Sequence, residues 1–345
     1  MRYERGNTLR HAIAAFLTFF ALPALAVDAA LIEAARKEGR VVWYTTQIID
    51  QFARPAAQAF EKKYGVKVDY VRADSSEVAL RISNEGKAGK MQADFFDGSS
   101  AVPALKKQNL VLQATHDSAA RLPERYRDKE QFWTAHNEFI FTPAYNSDLV
   151  KQDDAPKNFD ALLHPSWKGK MVWSSQPIAS GAPGFIGLML AVRGEEKGMA
   201  YLRKLSTQSI AGPKVSARQI LDQVIAGEFV LSPHTFNHQS VISRAKGAPS
   251  VWIPMNPALG VISVGAITKG GPNPNAAKLF ADFLFSDEGQ KLFRDSDYIP
   301  VDPAVPPREP TLRPDGERFK AIYMTPEEVE DGMPKWTKIY AELFR

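Results

Sequence analysis

The stretch WSSQPIASGAPGFIGLML, Trp173 to Leu190, sets hydroxyls and small residues immediately ahead of an apolar run of helical character. The first turn of a helix has backbone N–H groups without intrahelical partners and carries the positive end of the macrodipole. Ser180, Gly181 and Ala182 at such a mouth are therefore candidates for holding an anion, with Ser175 just upstream. The competing reading of Ser180 is an ordinary N-cap. Three further polar pairs offer hydroxyl or amide donors: Thr46 and Gln47, Ser75 and Ser76, and Ser99 and Ser100. In SPHTFNHQS, Asn237 and His238 are candidates to close over a ligand from the other side. A protonated imidazole there would add a charge-assisted hydrogen bond and make affinity depend on pH.

This is the chemistry of recognition, and the motifs of covalent catalysis are missing. Ser243 and Lys246 have Ser-x-x-Lys spacing, but no Lys-Thr-Gly partner accompanies them. There is no Gly-x-Ser-x-Gly elbow, no His-Glu-x-x-His and no P-loop, so the chain is not read as an enzyme. His234 and His238 are four apart, a spacing that on a helix could hold a divalent metal. Pro233 disfavours that helix and no adjacent carboxylate supplies a third ligand, so neither a metal nor a cofactor is expected.

The elements that must position these residues alternate. Asp28 caps a helix over DAALIEAARKEG, which Gly39 ends, and VVWY follows as a buried strand. A helix through FARPAAQAFEKK leads to the alternating strand VKVDYV, then to a helix over DSSEVALRISNEG with Asp74 and Glu77 at capping-box spacing. ADFFDGSS reads as a short strand and loop before the helix VPALKKQ. This is the rhythm of an open, mostly parallel sheet, in which ligands gather beyond the carboxyl ends of the strands, where the three polar loops stand.

A second layer follows FIFTPAYNSDLV. Residues 159–205 read as a helix, the strand and loop WKGKMVWSS, the helix SGAPGFIGLML and the helix EEKGMAYLRKLS. RQILDQVIAGEFVLSP gives another helix and strand, and VISRAKGAPS a helix and turn. The β-branched run ALGVISVGAIT returns the chain to a helix whose face is Ala276, Leu279, Phe280, Phe283 and Leu284. An amphipathic helix over about residues 325–345 closes the chain.

The ends and the composition place the protein outside the cytoplasm. MRYERGNTLRH is basic, AIAAFLTFFALPALA is a 15-residue apolar run, and Ala24-Leu25-Ala26 is a small-residue cleavage triplet. Residues 1–26 are read as a cleaved signal peptide. Removing them takes away three Arg and one Glu, so the formal charge falls from +4 to +2, too little and too dispersed for a nucleic-acid partner. The absence of Cys excludes disulfides, thiolate metal sites and a lipid-bearing Cys at the cleavage point. With 345 residues and 44% hydrophobic content the chain can build about two cores.

Taken in order, YTT, FEKKYGVKVDYV, SSEVALRI with ADFF, WKGKMVW, SGA, VIAGE, KGAP and KGGPNPNAAKLFADFLFSDEGQKLF resemble the periplasmic solute-binding proteins of ABC transporters, in the branch that includes ferric-iron-binding proteins. The resemblance implies an α/β type 2 periplasmic-binding fold: two lobes, each a mostly parallel sheet flanked by helices, hinged by crossover strands near Phe141–Asn146 and Gly260–Ile267. It divides the chain into residues 27–142 plus 264–310 as lobe one, 143–263 as lobe two, and 311–345 as a C-terminal helical segment packed across both. The implied activity is capture of a solute between the lobes and delivery to an inner-membrane permease, by a periplasmic monomer.

One departure bears on the solute. Iron-binding members place two adjacent tyrosines shortly after the Gly-Glu pair, and an ungapped count from Gly227-Glu228 lands on Asn237 and His238. Their first-strand histidine is also missing, with Gln47 nearby. A hard trivalent cation prefers anionic oxygen donors, so the expected solute is instead a small organic anion: a phosphonate, phosphate ester or carboxylate. The alternatives are a ferric-binding protein with a different ligand set and a ligand-presenting partner of a membrane sensor.

Overall fold

The computed structural model describes residues 28–345, so the signal-peptide reading lies outside the described residues. Helix α1, Ala29–Glu38, starts where Asp28 accepts the Ala30 N–H and stops at Gly39 in the left-handed conformation. Strand β1, Arg40–Thr45, leads through a π-helical turn, Ile49–Ala53, into α2, Arg54–Tyr64. Strand β2, Lys67–Arg72, α3, Ser75–Lys87, β3, Phe95–Asp97, α4, Ala101–Lys106, and the two-residue β4, Val111–Leu112, complete the first run. Asp74 does occupy the N-cap of α3 but makes no side-chain capping bond, contrary to the capping-box expectation. Its carboxylate faces a cleft instead.

Strand β5, Thr134–Asn146, is followed by 3-10 turns at Asp160–Leu163 and Pro165–Trp167 where a helix was expected. His164 and Pro165 break the run before a second α-helical turn can form. The strand expected in WKGKMVW shrinks to two isolated bridges, Met171 to Leu231 and Val172 to Ala211. Then come α5, Ala182–Arg193, α6, Glu195–Ser206, α7, Ala217–Ile225, β6, Leu231–Phe236, α8, Asn237–Ala245, and β7, Ser250–Trp252. Strand β8, Ala258–Thr268, returns to α9, Pro274–Phe285, α10, Asp287–Asp295, β9, Ile299–Pro300, β10, Ala321–Met324, and α11, Pro326–Leu343.

The sheet runs β2-β1-β3-β8-β5-β6, with β4 and β10 on β8 and β7 and β9 on β5. Pairing is parallel for β1 with β2 and β3 and for β10 with β8. The long crossing strands β5 and β8 pair antiparallel, because each carries the chain between the lobes in the opposite sense. Two main apolar cores result. One gathers Trp43, Phe52, Phe60, Phe95, Phe280 and Phe293, and the other Trp173, Phe185, Leu202, Trp336 and Tyr340. The crossing strands change core midway: Ala135 and Val264 belong to the first, Phe141 and Leu259 to the second. The molecule is therefore two-lobed, with β5 and β8 as the connection.

Helix α11 spans the lobes on one side. It packs on α4 and α5, and salt bridges join Asp331 to Lys107 at the C-cap of α4 at 3.6 Å and Lys335 to Glu195 of α6 at 2.7 Å. The Trp336 indole approaches α5 so closely that a Cβ at Gly187 would lie 2.7 Å from it. On the outer face of β5, the buried Glu138 carboxylate accepts hydrogen bonds from the Tyr126 and Tyr323 hydroxyls, which fastens β10 to the crossing.

Candidate functional site

The carboxyl ends of β1, β2 and β3 converge on one edge, as the parallel-sheet rule requires. Asp97, fully buried at the end of β3, organises that edge. Its Oδ2 accepts from Trp43 Nε1 at 2.8 Å and Thr45 Oγ1 at 2.6 Å, and its Oδ1 from Thr46 N at 2.7 Å and Thr46 Oγ1 at 2.6 Å. The next residue, Gly98, has φ +135°, and a Cβ there would sit 2.6 Å from Ser75 Oγ and 3.1 Å from Thr46 Cγ2. Only glycine lets the three strand ends close together here.

They form one wall of a cleft of about 500 Å³ between the lobes. Thr46, Ser75, Ser99 and Ser100 line it together with Arg72, Asp50 and Asp74. The hydroxyl protons are largely committed within the protein: Thr46 donates to Asp97, Ser99 to the Ile262 carbonyl at 2.9 Å, and Ser100 to Ser75 at 3.0 Å. Ser75 Oγ is the acceptor in its pair, also taking the Ser100 N–H at 3.2 Å. Three of the expected donors thus face a ligand chiefly as acceptors, because each found a closer partner across the strand ends.

The opposite wall comes from the turn before α5 and from α7. Ser180 lines the cleft, but Gly181 and Ala182 do not. Gly181 N–H donates to the Ile178 carbonyl at 2.9 Å, Ala182 N–H to the Ser174 carbonyl at 2.7 Å, and Pro183 has no N–H. The loop folds back to cap its own helix, so the expected anion cradle at this N-terminus is reduced to the Ser180 side chain. The glycine is required by the turn, since a Cβ at Gly181 would lie 2.1 Å from the Gln176 carbonyl oxygen. His234 props the same turn: its Nε2 bonds the Ala179 carbonyl at 2.9 Å, and burial pushes its pKa down to about 4.

Four more expected residues stand elsewhere. Gln47 is buried behind the wall, its amide 3.4 Å from both Asn137 and Ser263. Ser76 lines a smaller side groove with Ala104 and Met333. Ser175 does not line the cleft. Asn237, fully buried, donates to the Leu312 carbonyl at 3.0 Å. The backbone at each position points the side chain away from the cleft, which loop composition does not reveal.

His238 does line the cleft, on a floor of aromatic rings. Its ring stacks on Phe139 at 5.6 Å between centroids, meets Phe236 edge-on at 5.3 Å and lies 5.2 Å from Tyr298. Phe141 lies 4.6 Å from Phe236. Burial pushes the His238 pKa down to about 3, with the Arg218 charge adding to the effect, so the imidazole is neutral and the conditional charge-assisted bond does not apply. Nδ1 is buried with no hydrogen-bond partner. His234 and His238 belong to β6 and α8 respectively, which removes the one-helix metal geometry. Among the described residues no three His, Asp or Glu side chains converge as a metal site requires.

The cations of the cleft were not anticipated. Arg72 enters from the end of β2, and among the described residues it has no carboxylate partner. Arg218 enters from the first turn of α7, held by Asp222 and by Ser243 Oγ at 2.8 Å. Ser243 is thereby a neutral acceptor for a guanidinium and has no base beside it. Asp50 is neutralised by Arg54 at 2.9 Å. Arg72 was legible in the sequence as a charge at a strand's carboxyl end. Phe139 and Phe141, two apart on one strand, necessarily share a face.

Comparison with known proteins agrees with this architecture. Residues 55–320 match the family model described as bacterial extracellular solute-binding protein. The Fe(3+)-binding periplasmic protein of Serratia marcescens is 23% identical over 274 residues, covering 76% of this chain and 78% of the relative. Among solved structures, AfuA from Actinobacillus pleuropneumoniae with exogenous fructose-6-phosphate bound superposes with a TM-score of 0.75 at 21% identity, covering 89% of this chain and 98% of that one. Iron-bound HitA from Pseudomonas aeruginosa gives 0.73 at 20% identity, covering 88% and 99%.

Proposed function

The chain belongs to the bacterial extracellular solute-binding proteins, and from that premise we propose that it captures a small organic anion in the interlobe cleft and delivers it to the permease of an ABC transporter. The observation that carries the reading is the entry of Arg72 and Arg218 into the cleft from opposite lobes. Closure of the lobes brings both guanidiniums toward one solute, and their fork geometry suits carboxylate or phosphate oxygens. Ser180, Gln176 and Gln239 add neutral polar contacts from the second lobe. The likeness to a protein holding a sugar phosphate supports an anionic solute.

The iron reading follows the names of other relatives, and the donor set weighs against it. Among the described residues Tyr298 is the one phenol lining the cleft, and burial pushes its pKa upward, away from the phenolate a ferric ion needs. His238 is neutral but sits beside Arg218, whose charge repels a cation. The protein acts in the periplasm as a monomer after cleavage following Ala26, and N-terminal sequencing of the exported form, beginning at Val27, checks that step.

Native mass spectrometry of the protein purified from the periplasmic fraction tests the function. An organic anion that co-purifies, and is lost on Arg72→Gln substitution, is the expected result. Bound iron without an organic anion would overturn the proposal.

A further inference from the structure

We propose that the solute is a planar aromatic anion bearing a hydroxyl or amine on its ring, with the ring seated against Phe139, Phe236, His238 and Tyr298 and the charged group turned toward Arg72. This rests on the organic-anion reading and narrows it to one class of body. The floor is a continuous set of rings with centroids 5.1–5.9 Å apart: Phe139 to Phe236 at 5.1 Å, Phe139 to His238 at 5.6 Å and Phe139 to Tyr298 at 5.9 Å. Such spacings are those of edge-to-face and offset contacts, the arrangement that also receives a further ring.

The chemistry of the floor discriminates against a polyhydroxylated body. Phe139, Phe141, Phe236 and Val261 offer no hydrogen-bonding side-chain atom, so sugar hydroxyls placed on them would lose water without replacement. The exception is His238: its Nδ1 is sealed in the interior without a partner, and its Nε2, which makes no hydrogen bond within the protein, is the ring nitrogen left to face the cleft. An occupant with one hydrogen-bonding substituent pairs with that Nε2, while the sealed Nδ1 stays out of its reach. Burial keeps the imidazole neutral, so it pairs with a hydroxyl or amine and does not compete with Arg72 for the anionic group. A volume of about 500 Å³ accommodates a single-ring solute.

Isothermal titration calorimetry of the purified exported protein tests the assignment with 4-hydroxybenzoate, benzoate, phenyl phosphate, fructose 6-phosphate and inorganic phosphate. The expected order puts 4-hydroxybenzoate or phenyl phosphate at least about tenfold tighter than the two non-aromatic anions. His238→Phe keeps a ring on the floor while removing its nitrogens. It should weaken 4-hydroxybenzoate about tenfold and leave benzoate unchanged. Phe236→Leu should weaken both. Binding of fructose 6-phosphate or inorganic phosphate with the aromatic anions silent overturns the aromatic body and leaves the anion reading standing. Equal loss of benzoate and 4-hydroxybenzoate in His238→Phe overturns the role of the imidazole. Binding of none of the panel overturns both readings.

Discussion

Replacing Asp97 by Asn exchanges one carboxylate oxygen for an NH₂ group at the centre of the first wall and keeps its shape. Each carboxylate oxygen accepts two hydrogen bonds, one from a group that can only donate: the Trp43 indole N–H at Oδ2 and the Thr46 backbone N–H at Oδ1. The Thr hydroxyls that supply the other two can turn and accept. Whichever way the asparagine amide is oriented, its NH₂ opposes one obligate donor in a site that is fully buried. The loss is one charge-assisted hydrogen bond, about 1.5–3 kcal/mol, together with an unpaired buried donor at about 1–3 kcal/mol, so Asp97→Asn should destabilise by ~2.5–6 kcal/mol. That is a large fraction of the ~5–15 kcal/mol that holds a typical domain folded. Urea unfolding followed by far-UV circular dichroism measures it, as a lower midpoint with the slope retained. Thr46 loses its anchor in the same variant, so affinity for the co-purifying solute should fall even in the fraction that remains folded. A stability loss below about 1 kcal/mol with unchanged affinity would refute the account of Asp97 as the hub that joins the strand ends.

Other perturbations separate the remaining parts of the argument. Gly98→Ala places a methyl 2.6 Å from Ser75 Oγ at φ +135°, so it should cost about 1–3 kcal/mol of backbone strain and weaken solute binding by displacing Ser75; wild-type affinity would show that the contact of the loops is dispensable. Arg72→Gln should weaken an anionic solute about tenfold or more while leaving the thermal midpoint nearly unchanged, because the side chain is exposed and without a carboxylate partner; a neutral effect on affinity removes it from the site. Gly187→Ala drives a Cβ toward the Trp336 indole and should destabilise by about 1–3 kcal/mol through the α5 and α11 contact, read as a lower thermal midpoint. His234 and His238 have pKa values pushed down by burial to about 4 and about 3, against about 6.5 in the unfolded chain. Between these values the unfolded chain binds more protons, so their contribution is complete above about pH 6.5 and declines as pH falls, by ~3 kcal/mol for each histidine at pH 4. Urea midpoints from pH 7 to pH 4.5 should fall steeply in the wild type and less so with His234→Gln and His238→Phe combined. Identical slopes would refute it.

Local chemistry was enough for most of the elements, and it failed where 3-10 turns and isolated bridges replace the helix and strand expected before α5. Asp28 and Gly39 bound α1 because a cap and a left-handed glycine act within a few residues of themselves. Ala276, Leu279, Phe280, Phe283 and Leu284 are all fully buried because helical spacing puts them on one face wherever the helix lies. The run ALGVISVGAIT is β8 from its first residue to its last, and FIFTPAYN falls within β5. The strand-end rule places Thr46, Ser75, Ser99 and Ser100 at one sheet edge, and all four line the cleft.

What those side chains do there depends on partners distant in sequence. Asp97 takes the protons of Thr45 and Thr46, some fifty residues earlier, and Ile262 takes that of Ser99, more than 160 residues later. The helix mouth at Ser180 looked open because unpaired N–H groups are the default of any helix start, yet the carbonyls of Ser174 and Ile178 return to close it. His238 looked chargeable because an imidazole in water titrates near pH 6.5, and only burial among Phe139, Phe236 and Tyr298 makes it neutral. Sequence alone therefore determined most of the elements and the edge of the sheet where a solute would lie, since periodicity, capping and strand direction are local properties, while the two-lobed α/β plan was what the family resemblance implied. The tertiary structure decided which donors remain free, that Arg72 and Arg218 both line the cleft and how apolar the floor is, since hydrogen-bond commitment and desolvation are set by whichever groups the fold brings into contact.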